Sequence, residues 1–107
     1  MHRYLFLAQR YSAMLLAPLV LIHLVMILIA VRGGLSAEEI LGRTRGSTGW
    51  FTFYLIFVIA VTVHAPIGVR NVLREWTSLP AGAVNAIALL FALVIFLTGC
   101  RAVLAVT

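Results

Sequence analysis

Three long apolar stretches constrain this chain more than any other feature. They cover Tyr11–Val31, Gly49–Val69 and Ala81–Cys100. A helix needs about 20 apolar residues to cross a bilayer, and neither a lone strand nor a three-stranded barrel satisfies its backbone in lipid. The chain has 107 residues, of which 64% are hydrophobic and 10% charged, and a soluble domain of this size does not have such a composition. The sequence therefore predicts an all-α integral membrane protein, with residues 1–107 forming one domain, a bundle of three transmembrane helices.

The segments outside these spans carry weaker signals. Residues 1–10 are amphipathic, so they either lie along the membrane surface or start the first helix early. Ser36 followed by Glu38 and Glu39 is typical of a helix start, with a capping hydroxyl and acids in the first turn. We expect a short interfacial helix over Ser36–Leu41. Pro80 is expected near the start of the third helix.

The positive charge does not indicate a nucleic-acid partner. The formal net charge is +5, yet all eight basic residues are arginines scattered near or beyond the ends of the apolar spans. A nucleic-acid site requires a clustered basic patch, whereas arginines at span ends anchor a helix at lipid headgroups. Four arginines fall on each side of the membrane, so the charge distribution alone does not set the orientation.

One apolar span contains a histidine followed by a regular set of polar and small residues. These are His64, Gly68, Arg70 and Glu75, in the spacing H-x3-G-x-R-x4-E. An imidazole in a bilayer is costly without a partner, so an intramembrane histidine is a candidate functional residue. The alternative is a structural histidine that only hydrogen-bonds a neighbouring carbonyl group.

This spacing resembles the second-helix signature of the cytochrome b subunits of succinate dehydrogenase and fumarate reductase. The resemblance implies that His64 is an axial ligand of haem b. Gly68 lies one turn away on the same face, where a missing side chain lets a porphyrin edge or a helix approach. Arg70, at the membrane boundary, is placed to pair with a haem propionate.

His23 is a second histidine within a span. It lies about twelve residues into the first apolar stretch, and His64 about six residues from Arg70. At about 1.5 Å per residue the two histidines differ in depth by roughly 9 Å, so they are not expected to share one iron. Members of the wider superfamily hold two haems, which suggests His23 as the ligand of a second, distal haem. A buried histidine that bonds a carbonyl or a partner subunit is the alternative.

Each haem then needs a histidine from another chain, because His2 is close to the terminus. A second copy of this protein would pair His64 with His64 and His23 with His23 at matched depths. The usual arrangement in the family is instead a heterodimer of two small anchor subunits. The sequence leaves both possibilities open.

The start of the first span carries the other point of resemblance. Gln9-Arg10-Tyr11-Ser12 resembles a family motif in which a His-Arg pair precedes a serine, and the resemblance assigns Arg10 and Ser12 to a quinone pocket. The pattern is not complete, because Gln9 replaces the histidine and Phe6 occupies the position of a further pocket serine. Arg10 could equally reach the lipid headgroups.

Four other polar residues have less specific roles. Asn71 stands where many family members have a second histidine, and Glu75 where they usually have aspartate. Glu75 could contact a soluble partner or carry protons, and a solvated acid at a helix end is equally consistent. Asn85 and Thr98, in the third span, are expected to hydrogen-bond between helices.

By resemblance, the chain is the haem b-binding membrane anchor of a flavoenzyme complex similar to succinate dehydrogenase or fumarate reductase. It would bind flavoprotein and iron–sulfur subunits and pass electrons between iron–sulfur clusters and membrane quinone. The family also implies the bacterial inner membrane, with a cytoplasmic N-terminus. The main alternative is a haem-free anchor, followed by a purely structural assembly protein. A small multidrug transporter would need four spans and an acid within a span, which this chain lacks.

Overall fold

The computed structural model describes residues 2–107, with side chains from residue 3 onward. Within this range the chain forms four helices and no strand: α1 His2–Gly33, α2 Ala37–Thr44, α3 Thr48–Trp76 and α4 Ala81–Val106. The three long helices α1, α3 and α4 are each long and apolar enough to cross a membrane. The predicted all-α fold with three spans is therefore confirmed.

The helices extend beyond the apolar stretches that predict them. α1 starts at His2, so the segment before the first apolar stretch is the beginning of this helix, which was one of the two expectations for it. α3 continues past Arg70 to Trp76. Apolar sequence marks the part of a helix that lies in lipid, whereas its ends are set by backbone-breaking residues. α1 ends at Gly33, because Gly34 adopts a φ of +129° that other residues rarely tolerate.

The short helix α2 confirms the predicted helix after Ser36, although it continues to Thr44, three residues beyond the predicted end at Leu41. Ser36 caps it by accepting the backbone N–H of Glu39 at 3.2 Å. At its other end, the buried Thr44 hydroxyl donates to the carbonyl of Val106, and the Gly46 N–H donates to the carbonyl of Thr107 at 3.0 Å. These bonds satisfy carbonyl groups that the end of α4 leaves without helical partners.

The bundle is organised around α3, which packs against both α1 and α4. Its buried apolar residues are few and mostly of modest size: Leu16, Ala60, Val84, Ala88 and Val103. Small residues allow close approach of helices in membranes, where lipid supplies no hydrophobic force between them. Most large apolar side chains of α1 and α4 face outward, which suits contact with lipid or with helices of other chains.

The closest approach between α3 and α4 depends on Gly99. A Cβ atom at this position would lie 2.7 Å from Cγ1 of Val58. A β-branched side chain in a helix has essentially one χ1 rotamer, so Val58 cannot turn away. The absence of a side chain at Gly99 therefore sets the distance between these helices.

We expect Gly99→Ala to destabilise the bundle by about 1–3 kcal/mol, as overpacking does. The measurement is the heat-induced unfolding midpoint of the purified protein. Gly82→Ala in the same helix is the matched control, because no atom lies within 4 Å of its added Cβ. Val58→Ala combined with Gly99→Ala should recover most of the lost stability. Equal midpoints for the two single glycine variants would contradict this account of the packing.

Candidate functional site

His64 lies at the interface between α1 and α3. Its Nδ1 atom is 3.2 Å from the backbone carbonyl oxygen of Gln9 and 3.4 Å from the hydroxyl oxygen of Ser12. The Ser12 hydroxyl itself donates to the same Gln9 carbonyl at 2.9 Å. Ser12 is only 8% exposed, so this arrangement is shielded at the helix interface.

The chemistry of these partners fixes the tautomer of His64. A carbonyl oxygen can only accept, and the Ser12 proton is already directed at that oxygen. Nδ1 must therefore carry the proton and donate it to Gln9. In the neutral imidazole, Nε2 then keeps its lone pair and can bind a metal ion or accept a hydrogen bond.

His64 shares its face of α3 with Gly68 and Asn71, since residues three and four positions apart neighbour one another on a helix. The Asn71 side-chain amide donates to Oε1 of Gln9 at 3.1 Å. A Cβ atom at Gly68 would lie 3.4 Å from Nε2 of Gln9. Gly68 therefore approaches a side chain of α1, and Gln9 contacts this face through both its backbone and its side chain.

Arg70 extends toward α4. Its Nε atom donates to Oδ1 of Asn85 at 3.1 Å, and one terminal nitrogen lies 3.5 Å from Oδ1 of Asn71. Asn85 thus forms the interhelical bond predicted for it. The prediction for Thr98 is wrong, because its hydroxyl donates to the carbonyl of Val94 in its own helix; a hydroxyl on an exposed face reaches the preceding turn more easily than another helix.

Beside Arg70 lies a cavity of 390 Å³ between the helices. Arg70 and Asn85 line it together with apolar residues that include Leu5, Ile67 and Leu89. A guanidinium group at the edge of an apolar cavity can bind an anionic oxygen. The position of Arg70 is compatible with the expected role at a propionate, and its guanidinium group bonds both Asn85 of α4 and Asn71 on the face that carries His64.

His23 has a very different environment. Its Nδ1 atom is buried and has no hydrogen-bond partner among the described residues. The ring contacts Tyr54 and Phe57 edge to face, with centroid distances of 6.0 Å and 5.4 Å. No described residue therefore accepts a hydrogen bond from Nδ1 of His23, as the Gln9 carbonyl does from His64.

Two apolar cavities of 310 Å³ and 230 Å³ adjoin His23. Both are lined by Tyr54 and by Ile40 and Thr44 of α2, so the interfacial helix closes this end of the bundle. The buried imidazole nitrogen and these cavities together give His23 room for a ligand of mainly apolar character.

The two histidines lie at different levels of the bundle. Phe57, which contacts His23, is about two helical turns from His64 along α3, roughly 10 Å. His64 contacts the part of α1 near Gln9 and Ser12, far from His23 on the same helix. The described residues contain no group of three or more metal-ligating side chains, and the side chain of His2 lies outside the described part.

The structure separates the two residues assigned to the quinone pocket. Ser12 faces α3 and bonds near His64, whereas Arg10, two positions earlier and so about 200° around the helix, is exposed. Phe6 is 60% exposed. Arg10 and Ser12 therefore do not line one pocket within this chain. Glu75 is also exposed, at the end of α3.

Sequence reasoning missed the role of Gln9. In the sequence, Gln9 stands out only because it replaces a histidine of the family motif. Its contact with His64 is made by the backbone carbonyl, which every residue type has. The contact between Gln9 and Asn71 was equally hidden, although both residues depart from the family's histidine pattern. A paired departure of that kind is the one signal that could have suggested a contact.

Comparison with known proteins agrees with the helices and with the resemblance of the α3 motif. The family model described as the succinate dehydrogenase/fumarate reductase transmembrane subunit matches residues 2–100. No curated protein and no solved structure gives a significant match. The match covers nearly the whole chain: it includes α3, most of α1 and α4, and both His23 and His64. The chain therefore belongs to the succinate dehydrogenase/fumarate reductase transmembrane subunit family.

Proposed function

We propose that this membrane anchor binds haem b through His64 and links the iron–sulfur clusters of its complex to membrane quinone. When bound, haem b takes up and releases single electrons and so can connect one-electron clusters to a two-electron quinone. The flavoprotein and iron–sulfur subunits would carry the dehydrogenase chemistry. The anchor itself would be a non-catalytic, electron-transferring subunit.

The observation that carries this proposal is the hydrogen bond from Nδ1 of His64 to the Gln9 carbonyl. Metal-ligating histidines almost always donate their other ring N–H to a carbonyl or carboxylate, which fixes the tautomer and makes the ligand more basic. The bond leaves Nε2 of His64 as the ligating atom. A purely structural histidine would make the same Nδ1 bond. The haem ligand and the structural histidine therefore differ only in whether Nε2 binds a metal ion.

Two neighbours of His64, Arg70 and Ser12, support the same assignment. Gly68, one turn away, faces the Gln9 side chain of α1, so of its two expected roles it fits the approach of a helix and not that of a porphyrin edge. Arg70 lies less than two helical turns after His64. It could donate to a propionate through the guanidinium N–H groups that do not bond Asn85 or Asn71. Ser12 supports the ligand by bonding the same Gln9 carbonyl.

A second histidine to hold the haem would come from another chain. Only His23 is a further intramembrane histidine here, and it lies at another level of the bundle. A histidine at the depth of His64 could belong to a second type of anchor subunit or to a second copy of this chain. Both arrangements would bury part of the exposed apolar surface of the bundle.

His23 is the candidate ligand for a second, distal haem. Its buried Nδ1 atom and the adjoining apolar cavities leave room for such a ligand. No described side chain or carbonyl accepts its N–H, in contrast to His64. The proposal that the chain binds haem therefore rests on His64. The alternative is a haem-free anchor, in which neither His64 nor His23 is a ligand.

Quinone is proposed to bind at the membrane edge near the start of α1, with Arg10 as the contact from this chain. Arg10 is exposed there and can donate to a quinone carbonyl in a pocket completed by another subunit. Ser12 is buried beside His64, on the Nδ1 side of the imidazole ring, and does not reach this edge. The complex would sit in the bacterial inner membrane, with the N-terminus of this chain cytoplasmic.

We expect His64→Ala to abolish the proximal haem, because the substitution removes an axial ligand. The measurement is the reduced-minus-oxidised absorbance spectrum of the purified complex, with subunit content determined on the same sample. His23→Ala is the matched control, and it should retain the proximal haem and lose at most a distal one. If both variants keep all the haem of the wild type, the ligand assignments are wrong.

We expect Arg10→Gln to lower kcat/KM for quinone by about tenfold, since a hydrogen bond from a charged donor contributes about 1.5–3 kcal/mol. Steady-state quinone kinetics of the intact complex provide the measurement. Arg3→Gln serves as the control, because Arg3 is also an exposed arginine of α1. Equal quinone kinetics in the two variants would rule out Arg10 as the quinone contact.

A further inference from the structure

Two side-chain amides meet between α1 and α3 beside His64. The Asn71 amide nitrogen donates to Oε1 of Gln9 at 3.1 Å, and both residues are half-buried. Amide groups shielded from water strongly prefer to be paired, and in a membrane such pairs stabilise the association of helices. The bond therefore fixes the part of α1 around Gln9 against α3.

Gln9 contributes two separate groups to this interface. Its side chain binds Asn71, while its backbone carbonyl accepts the N–H of His64 at 3.2 Å. His64 and Asn71 lie on the same face of α3, so one residue of α1 spans the distance between them. Any rotation or sliding of α1 that broke the amide bond would also move the carbonyl away from the imidazole.

The carbonyl depends on this anchor because it belongs to the backbone. The carbonyl at position 9 is present whatever the side chain. It can accept the N–H of His64 only if α1 is held in the right position against α3. The Gln9 side chain also lies next to Gly68, where a Cβ atom would be 3.4 Å from Nε2 of Gln9. The side chain at position 9 is thus held between Gly68 and Asn71.

We infer that the Gln9–Asn71 pair is a positioning device that holds the Gln9 carbonyl against Nδ1 of His64. Neither side chain touches the proposed ligating atom. Gln9 acts through His64, and Asn71 acts through Gln9, while its Oδ1 atom also lies 3.5 Å from a terminal nitrogen of Arg70. The inference deepens the proposed function and rests on it only for its redox consequence. The placement of the imidazole proton is a property of the chain itself.

The redox consequence follows from the basicity of the ligand. An imidazole that donates a strong Nδ1 hydrogen bond is a better electron donor to a metal and favours the oxidised form. Loosening the Gln9 carbonyl weakens that bond and should raise the midpoint potential of the proximal haem. A tenfold change in the equilibrium between the two oxidation states corresponds to about 59 mV for one electron.

Variants of matched shape test this inference. Gln9→Met and Asn71→Leu keep the approximate size of each side chain and remove its amide, while the backbone carbonyl of residue 9 remains. Redox titration of the intact complex should give a raised midpoint potential for each single variant. The expected rise is up to about 59 mV, which corresponds to a tenfold change in the equilibrium between the two oxidation states. The double variant should be shifted no further than either single one, because the two residues act as one unit.

Thr98→Val is the control, because it removes a polar group that bonds only within α4. Its potential should equal that of the wild type. Haem retained at the wild-type potential in both Gln9→Met and Asn71→Leu would overturn the inference. Additive shifts in the double variant would also overturn it, since they would mean that the residues act independently.

A second measurement is independent of haem. Solid-state NMR of the full chain in liposomes, with labelled histidine, reports which ring nitrogen of His64 carries the proton; His64→Ala identifies its signals. The wild type should show Nδ1–H alone, and Asn71→Leu a mixture of tautomers. An unchanged tautomer would overturn the inference. If the wild-type complex holds no haem, the proposed function fails, and this measurement still decides the role of the pair.

Discussion

A histidine within a membrane needs an acceptor for its N–H, and the placement of the other polar groups around His64 follows from how that need is met. Nδ1 of His64 donates to the Gln9 carbonyl, so α1 and α3 must lie close together at this level. The side chain of Gln9 lies next to Gly68 and is held by a hydrogen bond from Asn71. This backbone carbonyl thus fixes the tautomer of the imidazole and leaves the lone pair of Nε2 free.

The two ends of the bundle have different chemistry. Around His64 there are amides, a hydroxyl and an arginine, joined by hydrogen bonds across three helices. Around His23 there are aromatic rings and apolar cavities, and the buried imidazole nitrogen has no partner among the described residues. A buried polar atom without a partner costs about 1–3 kcal/mol. That cost suggests that His23 is retained for an interaction with something outside this chain.

Hydrophobic patterning was sufficient to predict the architecture. The three spans, the helix after Ser36 and the interhelical bond of Asn85 could all be anticipated, because each depends on local pattern or on polarity in lipid. The ends of α1 and α3 could not, since apolar length reports membrane thickness rather than helix length. The partner of His64 was also out of reach, because a backbone carbonyl is invisible in the residue type. Thr98 shows the related problem that a hydroxyl often bonds its own helix.

This chain belongs to the family of succinate dehydrogenase/fumarate reductase transmembrane subunits, and we propose that it holds haem b through His64. A pyridine haemochrome determination on the intact wild-type complex purified in detergent, related to the amount of this chain, tests that proposal. We expect one haem b per anchor pair, or two per pair if His23 also binds one. A fully assembled complex without haem would contradict the proposal, and His64 would then be a structural histidine bonded to Gln9.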